Sequence, residues 1–125
     1  MTPGKQGTAR TVVTTENTAK AIGSGNLEVF ATPMMVALME EAACNCIADV
    51  LSTEQSSVGT AISVAHTAPS RIGATITATA VLEEADGRKV VFTVTACDDT
   101  GEIGTGTHTR FIVDAQRFMQ KVAER

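Results

Sequence analysis

The sequence predicts an α+β fold in which a curled antiparallel sheet wraps around one long apolar helix. Its 125 residues are enough for one domain with one core. One stretch, residues 32–51, carries apolar residues at three- and four-residue steps, which is the period of a helix. Four strand candidates follow it, separated by turn sequences. Because the helix is too apolar to be half exposed, we expect it to lie in the concave face of the sheet.

The region before the helix predicts little regular structure. Residues 1–8 are expected to form a flexible tail, so that a single domain spans residues 9–125. Residues 9–15 (ARTVVTT) predict a short strand. Residues 16–31 read as a polar connection with GSGN at its tip.

The long helix has a clear start signal. Thr32 is a favoured N-cap type, and Pro33 follows at the first helical position, where its missing N–H costs nothing. We expect the helix to end near Leu51, before a polar turn. Its apolar stripe comprises Met35, Val36, Met39, Ala42, Ala43, Cys46, Ile47 and Val50.

The second half of the chain reads as strands joined by tight turns. Strands are predicted over residues 58–66, 74–82, 88–97 and 103–113. The segments EADGR and CDDTGE between them have the composition of turns. A short C-terminal helix is expected after Asp114, which would cap it.

Composition excludes several classes of function. The net charge is −4, and there is neither a Lys/Arg cluster nor an aromatic platform, so we expect no nucleic-acid partner. The first twenty residues lack an apolar signal region, and no window approaches 18 apolar residues, so we expect no membrane partner or secretion.

The cysteines and histidines do not predict a metal site. The three cysteines are an odd number without a C-x-x-C motif, which favours free thiols in a reducing compartment, the cytoplasm. His66, His108 and the cysteines lack the spacing of zinc ligands. The segment GEIGTGT lacks the Gly-Lys-Ser/Thr ending of a phosphate loop.

Two adjacent carboxylates lie on the apolar helix. At 100° per residue, Glu40 falls in one row with Val36, Ala43 and Ile47, on the shoulder of the stripe, whereas Glu41 falls opposite the stripe. Glu40 is therefore the half-buried carboxylate. It could be a boundary residue whose stem reaches water, or a desolvated group that a neighbour uses.

A histidine is the expected neighbour of this carboxylate. His66 ends the strand 58–66 and shares a face with Val58, Ile62 and Val64, so we expect it to point inward. His108 shares a face with the glycines of the last strand and with Arg110. An inward histidine at a strand end can be purely structural, and both interpretations stay open here.

Three separated blocks resemble one protein family. They are EVFATPMMVALMEEA (28–42), GTAISVAHTA (59–68) and EIGTGTHTRFIV (102–113). They resemble the fluoroacetyl-CoA thioesterase-like branch of the hotdog-fold acyl-CoA thioesterases. The resemblance covers residues 28–120 and agrees with the order of elements predicted above.

The resemblance implies a hotdog fold, a homodimer with a tetramer as the alternative, and hydrolysis of an acyl-CoA to the free acid and CoA. The matching catalytic positions are Thr32, Glu40 and His66, while Gly59 and Arg110 match positions near the substrate. Arg110 could instead lie on a solvated face. The resemblance implies no retained cofactor, because CoA is the carrier of the acyl group and enters as part of the substrate.

Two mechanisms are compatible with these residues. In the first, His66 is the general base, is oriented by Glu40, and activates Thr32 or a water. In the second, Glu40 is itself the base or nucleophile. Thr32 and Glu40 lie eight residues apart, or about 12 Å along a helix. They therefore flank the acyl group, or they meet across a two-fold interface.

The identity of the acyl group stays open. Residues 16–27 lack a clear match to the family and should border the pocket, so we expect a small or medium acyl chain without selection for fluorine. Two other classes of function remain alternatives: a hotdog acyl-CoA hydratase or dehydratase, and a non-catalytic protein that binds acyl-CoA or another small ligand.

Overall fold

The computed structural model describes residues 1–125 and contains one five-stranded sheet and three α-helices. Every neighbouring pair of strands is antiparallel, in the order β1-β3-β4-β5-β2. The elements in chain order are β1 (Gln6–Val12), α1 (Ala19–Ile22), α2 (Thr32–Ile47) with a 3₁₀ turn (Ala48–Val50), β2 (Gln55–His66), β3 (Thr75–Asp86), β4 (Lys89–Asp98), β5 (Gly101–Asp114) and α3 (Ala115–Ala123).

The predicted fold class is confirmed, because the curled sheet packs around α2. Strands β3 and β4 alternate as predicted, with Ile76, Ala78 and Ala80 buried and the intervening threonines half-buried. The core is built from aliphatic side chains with two phenylalanines. Its members from α2 are Met35, Leu38, Met39, Ala42, Ala43, Cys46 and Ile47.

The helix lies very close to the sheet at β1. A Cβ atom added to Gly7 would lie 2.3 Å from the backbone nitrogen of Cys46 and 2.4 Å from the carbonyl oxygen of Ala42. Only glycine leaves room for the helix backbone at this point. Small residues therefore set the distance between the helix and this edge of the sheet.

The N-terminal region is more regular than the sequence analysis expected. Strand β1 begins at Gln6 and pairs with β3, so the predicted flexible tail is wrong for residues 6–8. The connection 16–31 contains the short helix α1, whose first turn is capped where Thr18 Oγ1 accepts from the Ala21 N–H at 3.1 Å. One turn of helix is too short to leave a periodic signal in sequence.

The predicted N-cap role of Thr32 is wrong. The N-cap is Ala31, Thr32 is the first helical residue, and no side chain caps the helix. The Thr32 hydroxyl bonds to another residue, as described below. The regular helix ends at Ile47, and the 3₁₀ turn reaches Val50, one residue short of the predicted end.

A β-bulge in β2 changes which residues face the helix. The register with β5 shifts between Gly59 and Ala61, so the alternation of faces is interrupted there. Gly59 lies opposite the buried Arg110, whereas Val58 lies opposite the exposed Phe111. Val58 therefore faces away from the helix, and the prediction that it shares a face with His66 is wrong. The prediction holds for Ile62 and Val64, which lie beyond the bulge on the same side as His66.

The two edges of the sheet differ. At β1 the helix covers the edge, because Asn45 Nδ2 donates to the Thr8 carbonyl at 2.8 Å and the Cys46 thiol donates to the Lys5 carbonyl at 3.3 Å. The free edge of β2 has no such cover over its twelve residues. Its outer side chains, Ala61 and Ser63 among them, are small and exposed.

Helix α3 follows β5 directly. As predicted, Asp114 caps it, with Oδ1 accepting from the Arg117 N–H at 3.0 Å. The helix contacts β5 and β2 at one end of the sheet. None of the helices has the length and hydropathy of a membrane-spanning segment.

Candidate active site

The first helical residue of α2 meets the last residue of β2. Thr32 Oγ1 lies 2.7 Å from His66 Nδ1, which is a short hydrogen bond. Thr32 is exposed and His66 is half-buried. The hydroxyl is available for this bond because it does not cap the helix.

The second nitrogen of His66 has no hydrogen-bond partner. Nε2 is buried, and it is the one buried side-chain nitrogen or oxygen of the chain without a partner. Burial lowers the pKa of the imidazole, which therefore stays neutral at neutral pH. A neutral imidazole bonded to a hydroxyl is the arrangement that general-base catalysis requires.

A small cavity opens beside this pair. Its volume is about 260 Å³, and Phe30, Thr32 and His66 line it together with Ala19 of α1 and the segment 67–69. Apolar and polar side chains share the lining. The cavity has the size for a small ligand group placed against the hydroxyl of Thr32.

A second polar group lies farther along α2, where Arg110 of β5 contacts three other side chains. Arg110 Nη1 donates to Glu40 Oε2 at 3.3 Å, and Nε donates to Ser57 Oγ at 2.9 Å. The Arg110 side chain is 8% exposed and that of Glu40 is 41% exposed. Arg110 is therefore a buried cation that holds a partly exposed carboxylate, and it does not lie on a solvated face.

His108 completes this second group. It is buried, its Nδ1 lies 2.8 Å from the Ala61 carbonyl oxygen, and its Nε2 lies 3.2 Å from Arg110 Nη1. Burial, and then the positive charge of Arg110, lower the pKa of this imidazole, although the bond to Ala61 and the charge of Glu40 act in the opposite direction. The ring also stacks on Phe92, with centroids 6.2 Å apart.

Gly59 is required by the crowding around Glu40. A Cβ atom at this position would lie 2.6 Å from Glu40 Oε2 and 3.1 Å from His108 Cε1. The absence of a side chain thus leaves the space that the carboxylate occupies. The bulge in β2 is what turns this glycine toward the helix.

The structure brings the predicted residues together as two separate groups. Thr32 meets His66, while Glu40 meets Gly59 and Arg110. The expected contact between Glu40 and His66 is absent within one subunit, since the two groups lie eight residues apart along α2, about 12 Å. Glu41 is exposed and belongs to neither group.

Sequence reasoning did not assign a role to His108. The signal was present, because His108 and Arg110 are two residues apart on β5, and both side chains therefore lie on the face toward the helix. No cluster of three or more His, Cys, Asp or Glu side chains that could hold a metal ion occurs in the structure.

Comparison with known proteins decides the family. Residues 13–116 match the family described as fluoroacetyl-CoA-specific thioesterase, FlK. The chain belongs to this family. The match includes both polar groups and the whole of α2.

Individual relatives agree with membership of the FlK family. The fluoroacetyl-CoA thioesterase of Streptantibioticus cattleyicolor is 44% identical over 98 residues, which are 78% of this chain and 70% of the relative. A crystal structure of the fluoroacetyl-CoA thioesterase FlK superposes with a TM-score of 0.94 at 37% identity, covering 100% of this chain and 97% of that one.

A more distant relative extends the similarity. A thioesterase superfamily member of Thermus thermophilus superposes with a TM-score of 0.89 at 27% identity, covering 99% of this chain and 94% of that one. The fold is therefore the hotdog fold of thioesterases, as the resemblance implied. Membership of the FlK family makes the protein an acyl-CoA thioesterase, that is, a thioester hydrolase.

Proposed function

We propose that the protein hydrolyses a short acyl-CoA at a site in which Thr32 and His66 of one subunit face Glu40 of another. The observation that carries this proposal is the 2.7 Å bond between Thr32 Oγ1 and His66 Nδ1 beside a small cavity. The unpaired Nε2 of His66 adds to it, because a carboxylate from outside the subunit would satisfy that nitrogen.

The chemistry follows from this pair. His66 Nδ1 accepts the proton of Thr32 Oγ1 as this oxygen bonds to the thioester carbon. The C–S bond then breaks, and the imidazolium returns the proton to the departing CoA sulfur. Water next attacks the acyl-threonine ester with His66 as base, which releases the acid and restores the hydroxyl. The positive end of the α2 dipole stabilises the oxyanion that develops beside Thr32.

Two variations use the same residues. A water could take the place of the Thr32 hydroxyl, with His66 as its base, or Glu40 could be the base or nucleophile while the other two side chains position the substrate. Only the route in which Thr32 is the nucleophile leaves the acyl group covalently bound to Thr32. A burst of thiol release, together with an acyl adduct on the peptide that contains Thr32, distinguishes it from the other two routes.

The dimer we propose joins two β2 strands edge to edge. The free edge of β2 is about 40 Å long at the rise of an extended strand, and its exposed side chains are small enough for close pairing. Two copies related by a two-fold axis would pair antiparallel, because the axis reverses the strand. An axis through Ser63 places Ile62 opposite the partner subunit's Val64, with both side chains facing inward.

This register brings the two polar groups together. With the axis through Ser63, the residue opposite His66 is the partner subunit's Thr60, which lies in the bulge next to the partner subunit's Gly59. Glu40 of the partner subunit packs against that glycine, so its carboxylate would approach His66. The dimer therefore supports the expected pairing of Glu40 with His66, which one subunit alone does not provide.

Cross-linking tests this register. In a Cys97→Ser background, which removes the one exposed thiol, Ser63→Cys should form a disulfide between subunits. Directly opposed residues of an antiparallel pair have Cα atoms roughly 4.5–5.5 Å apart, within the range of a disulfide. Ala61→Cys or Ala65→Cys alone should not cross-link, whereas the two together should. A monomer by light scattering would overturn the dimer, and the same measurement separates two copies from four.

The acyl group we propose is short, since the cavity measures about 260 Å³. Among similar proteins, one variant of FlK has been solved in complex with fluoroacetate and CoA, and another in complex with acetyl-CoA. A thiol-release assay over acetyl-, fluoroacetyl-, butyryl- and hexanoyl-CoA measures the preference directly. We expect the longest chain to be the poorest substrate. Release of thiol also separates hydrolysis from hydration, which leaves the thioester intact.

Substitution of the site residues tests their roles in the same assay. His66→Ala and Glu40→Gln should each lower kcat by at least about 100-fold, the usual contribution of a general base or of the group that orients it. Glu41→Gln, on the exposed neighbour, is the matched control and should leave the rate unchanged. Near-normal rates for both site variants would mean that the roles are assigned wrongly.

We also propose that the protein works in the cytoplasm. Its three cysteines are all free, and Cys97 is exposed, a state that a reducing compartment preserves. Fractionation of cells that produce the protein tests the location.

A further inference from the structure

A cleft with excess positive charge lies between α3 and the end of β5. Its volume is about 460 Å³, and Arg88, Arg117 and Lys121 line it together with Phe111 and Phe118. It is distinct from the cavity beside Thr32 and shares no residue with it. The mechanism proposed above gives it no role.

The three cations are unpaired. The chain forms ion pairs at Lys5, Arg71 and Arg110, and none of the three involves the cations of the cleft. The single carboxylate in the lining, Asp114, is used to cap α3. In a chain of net charge −4, three of the ten Lys and Arg residues therefore surround one concave surface without an anionic partner.

The cleft also has fixed geometry and aromatic surface. Arg88 Nη1 donates to the Ile112 carbonyl at 3.2 Å, which orients the guanidinium while its other N–H groups remain free. Phe111 is 38% exposed, although a large apolar side chain gains from being covered. An oriented guanidinium group near an exposed ring suits a ligand that combines phosphates with a planar base.

We propose that this cleft binds the nucleotide part of the acyl-CoA substrate, with the three cations on its phosphates and the phenylalanine rings against the adenine. The inference rests on the proposed function, and it deepens that function by separating recognition of the CoA nucleotide from the chemistry at Thr32. CoA carries a diphosphate and a 3′-phosphate, which Arg and Lys bind through charge-assisted hydrogen bonds.

The proposed dimer places the cleft within reach of the cavity. With two β2 strands antiparallel about Ser63, the segment that follows His66 runs beside the partner's residues 55–59. Those residues pair with positions 110–114 of β5, which form one wall of the partner's cleft. Two inter-strand spacings, roughly 10 Å, separate the two regions across the sheet, and the extended pantetheine arm of CoA can bridge such a distance.

Comparison of two substrates tests the proposal. Acyl-pantetheine has the same thioester and arm as acyl-CoA but lacks the nucleotide. For Arg117→Gln, and more strongly for Arg117→Gln with Lys121→Gln, we expect KM for acyl-CoA to rise about tenfold or more. We expect kcat for acyl-CoA and both constants for acyl-pantetheine to stay unchanged. Arg10→Gln, which removes one positive charge from the exposed face of β1, is the matched control and should change neither substrate.

Binding of CoA itself provides a second measurement that needs no turnover. In calorimetry, CoA should bind the double variant at least tenfold more weakly than the wild type, and added salt should weaken wild-type binding.

If KM rises equally for both substrates, or if CoA affinity is unaffected, the cleft does not bind the nucleotide. A change from tetramer to dimer in the variants would instead assign the cleft to contact with a second copy. Lack of thiol release from either substrate would reject the proposed function, whereas the CoA affinity would still decide the role of the cleft.

Discussion

His108 Nε2 lies 3.2 Å from Arg110 Nη1, and this contact fixes the state of the histidine. A guanidinium can only donate, so the imidazole nitrogen must accept. The hydrogen of the neutral ring is then on Nδ1, which donates to the Ala61 carbonyl at 2.8 Å. His108 thus links the bulge of β2 to Arg110, and Arg110 links it to Glu40.

We predict that His108 is a positioning residue for Glu40, acting through Arg110. His108→Gln keeps an acceptor at the distance of Nε2, whereas His108→Asn keeps a donor for Ala61 but cannot reach Arg110. The asparagine variant should therefore lose roughly tenfold in kcat while the glutamine variant retains most of it, on the scale of one charge-assisted hydrogen bond. Steady-state kinetics on a short acyl-CoA measures both.

Thermal unfolding separates this role from a structural one. Both variants remove the stacking of the ring on Phe92 and should unfold at similarly lowered temperatures. Equal loss of kcat in the two variants would show that the bond to Arg110 has no influence on the rate.

Mixing two inactive proteins should restore activity. If Thr32 and Glu40 of one site come from different subunits, a heterodimer of Thr32→Ala with Glu40→Gln contains one site with both native residues. Subunits mixed at random should recover about a quarter of the wild-type rate, because half of the dimers are mixed and half of their sites are intact. The thiol-release assay after joint refolding measures this, and no recovery would place the complete site within one subunit.

Gly59→Ala should impair the site more than the fold. The new Cβ atom would lie 2.6 Å from Glu40 Oε2, so the partly exposed carboxylate must move out toward solvent. We expect kcat to fall at least about tenfold, as expected when a group of the site is displaced by an ångström. The denaturation midpoint should change little, because the end of a flexible side chain can shift. A large fall in the midpoint with unchanged kcat would contradict this.

The helix and the central strands could be predicted because each buries one face. The period of three and four residues placed Glu40 on the shoulder of α2 and Glu41 in solvent, and the alternation in β3 identified its buried residues. These patterns arise from local geometry, which every residue of the element shares.

The pairing of the site residues could not be predicted because it depends on contacts between elements. The bulge at Gly59 is a register shift against β5 and leaves no periodic signature in β2. Thr32 has the composition of an N-cap, and only the position of β2 shows that its hydroxyl bonds to His66 instead. The predicted start of β1 is three residues late because the first residues of the strand are polar and include a glycine.

Stability should fall as the solution becomes acidic, in two steps. Burial lowers the pKa of both His66 and His108 in the folded protein. In the unfolded chain both histidines have the ordinary pKa of about 6.5, so below that pH the unfolded chain binds more protons than the folded one. The free energy of unfolding should therefore decrease as the pH falls below about 6.5. Bonds from Ser70 and Thr100 lower the pKa of Asp98 to about 2, so its contribution is lost as the pH falls from about 4 toward 2.

Urea unfolding at pH 7.5 and at pH 5.5 measures the first step. A double variant, His66→Gln with His108→Gln, lacks both groups and should show a smaller decrease than the wild type. Asp98→Asn should flatten the second step and leave the first intact. A wild-type protein equally stable at both pH values would mean that neither histidine is protonated more easily on unfolding.

Gly7→Ala should destabilise the fold without touching the site. The added methyl group would lie 2.3 Å from a backbone nitrogen and 2.4 Å from a backbone oxygen of α2, neither of which can rotate away. The helix must move off β1, and we expect a loss of at least about 2 kcal/mol, toward the upper end for overpacked cores. Gly25→Ala meets only the Ala19 methyl at 3.3 Å and is the matched control. Chemical denaturation gives the free energy of unfolding of both variants. Equal values for Gly7→Ala and Gly25→Ala would show that α2 does not hold its distance from β1.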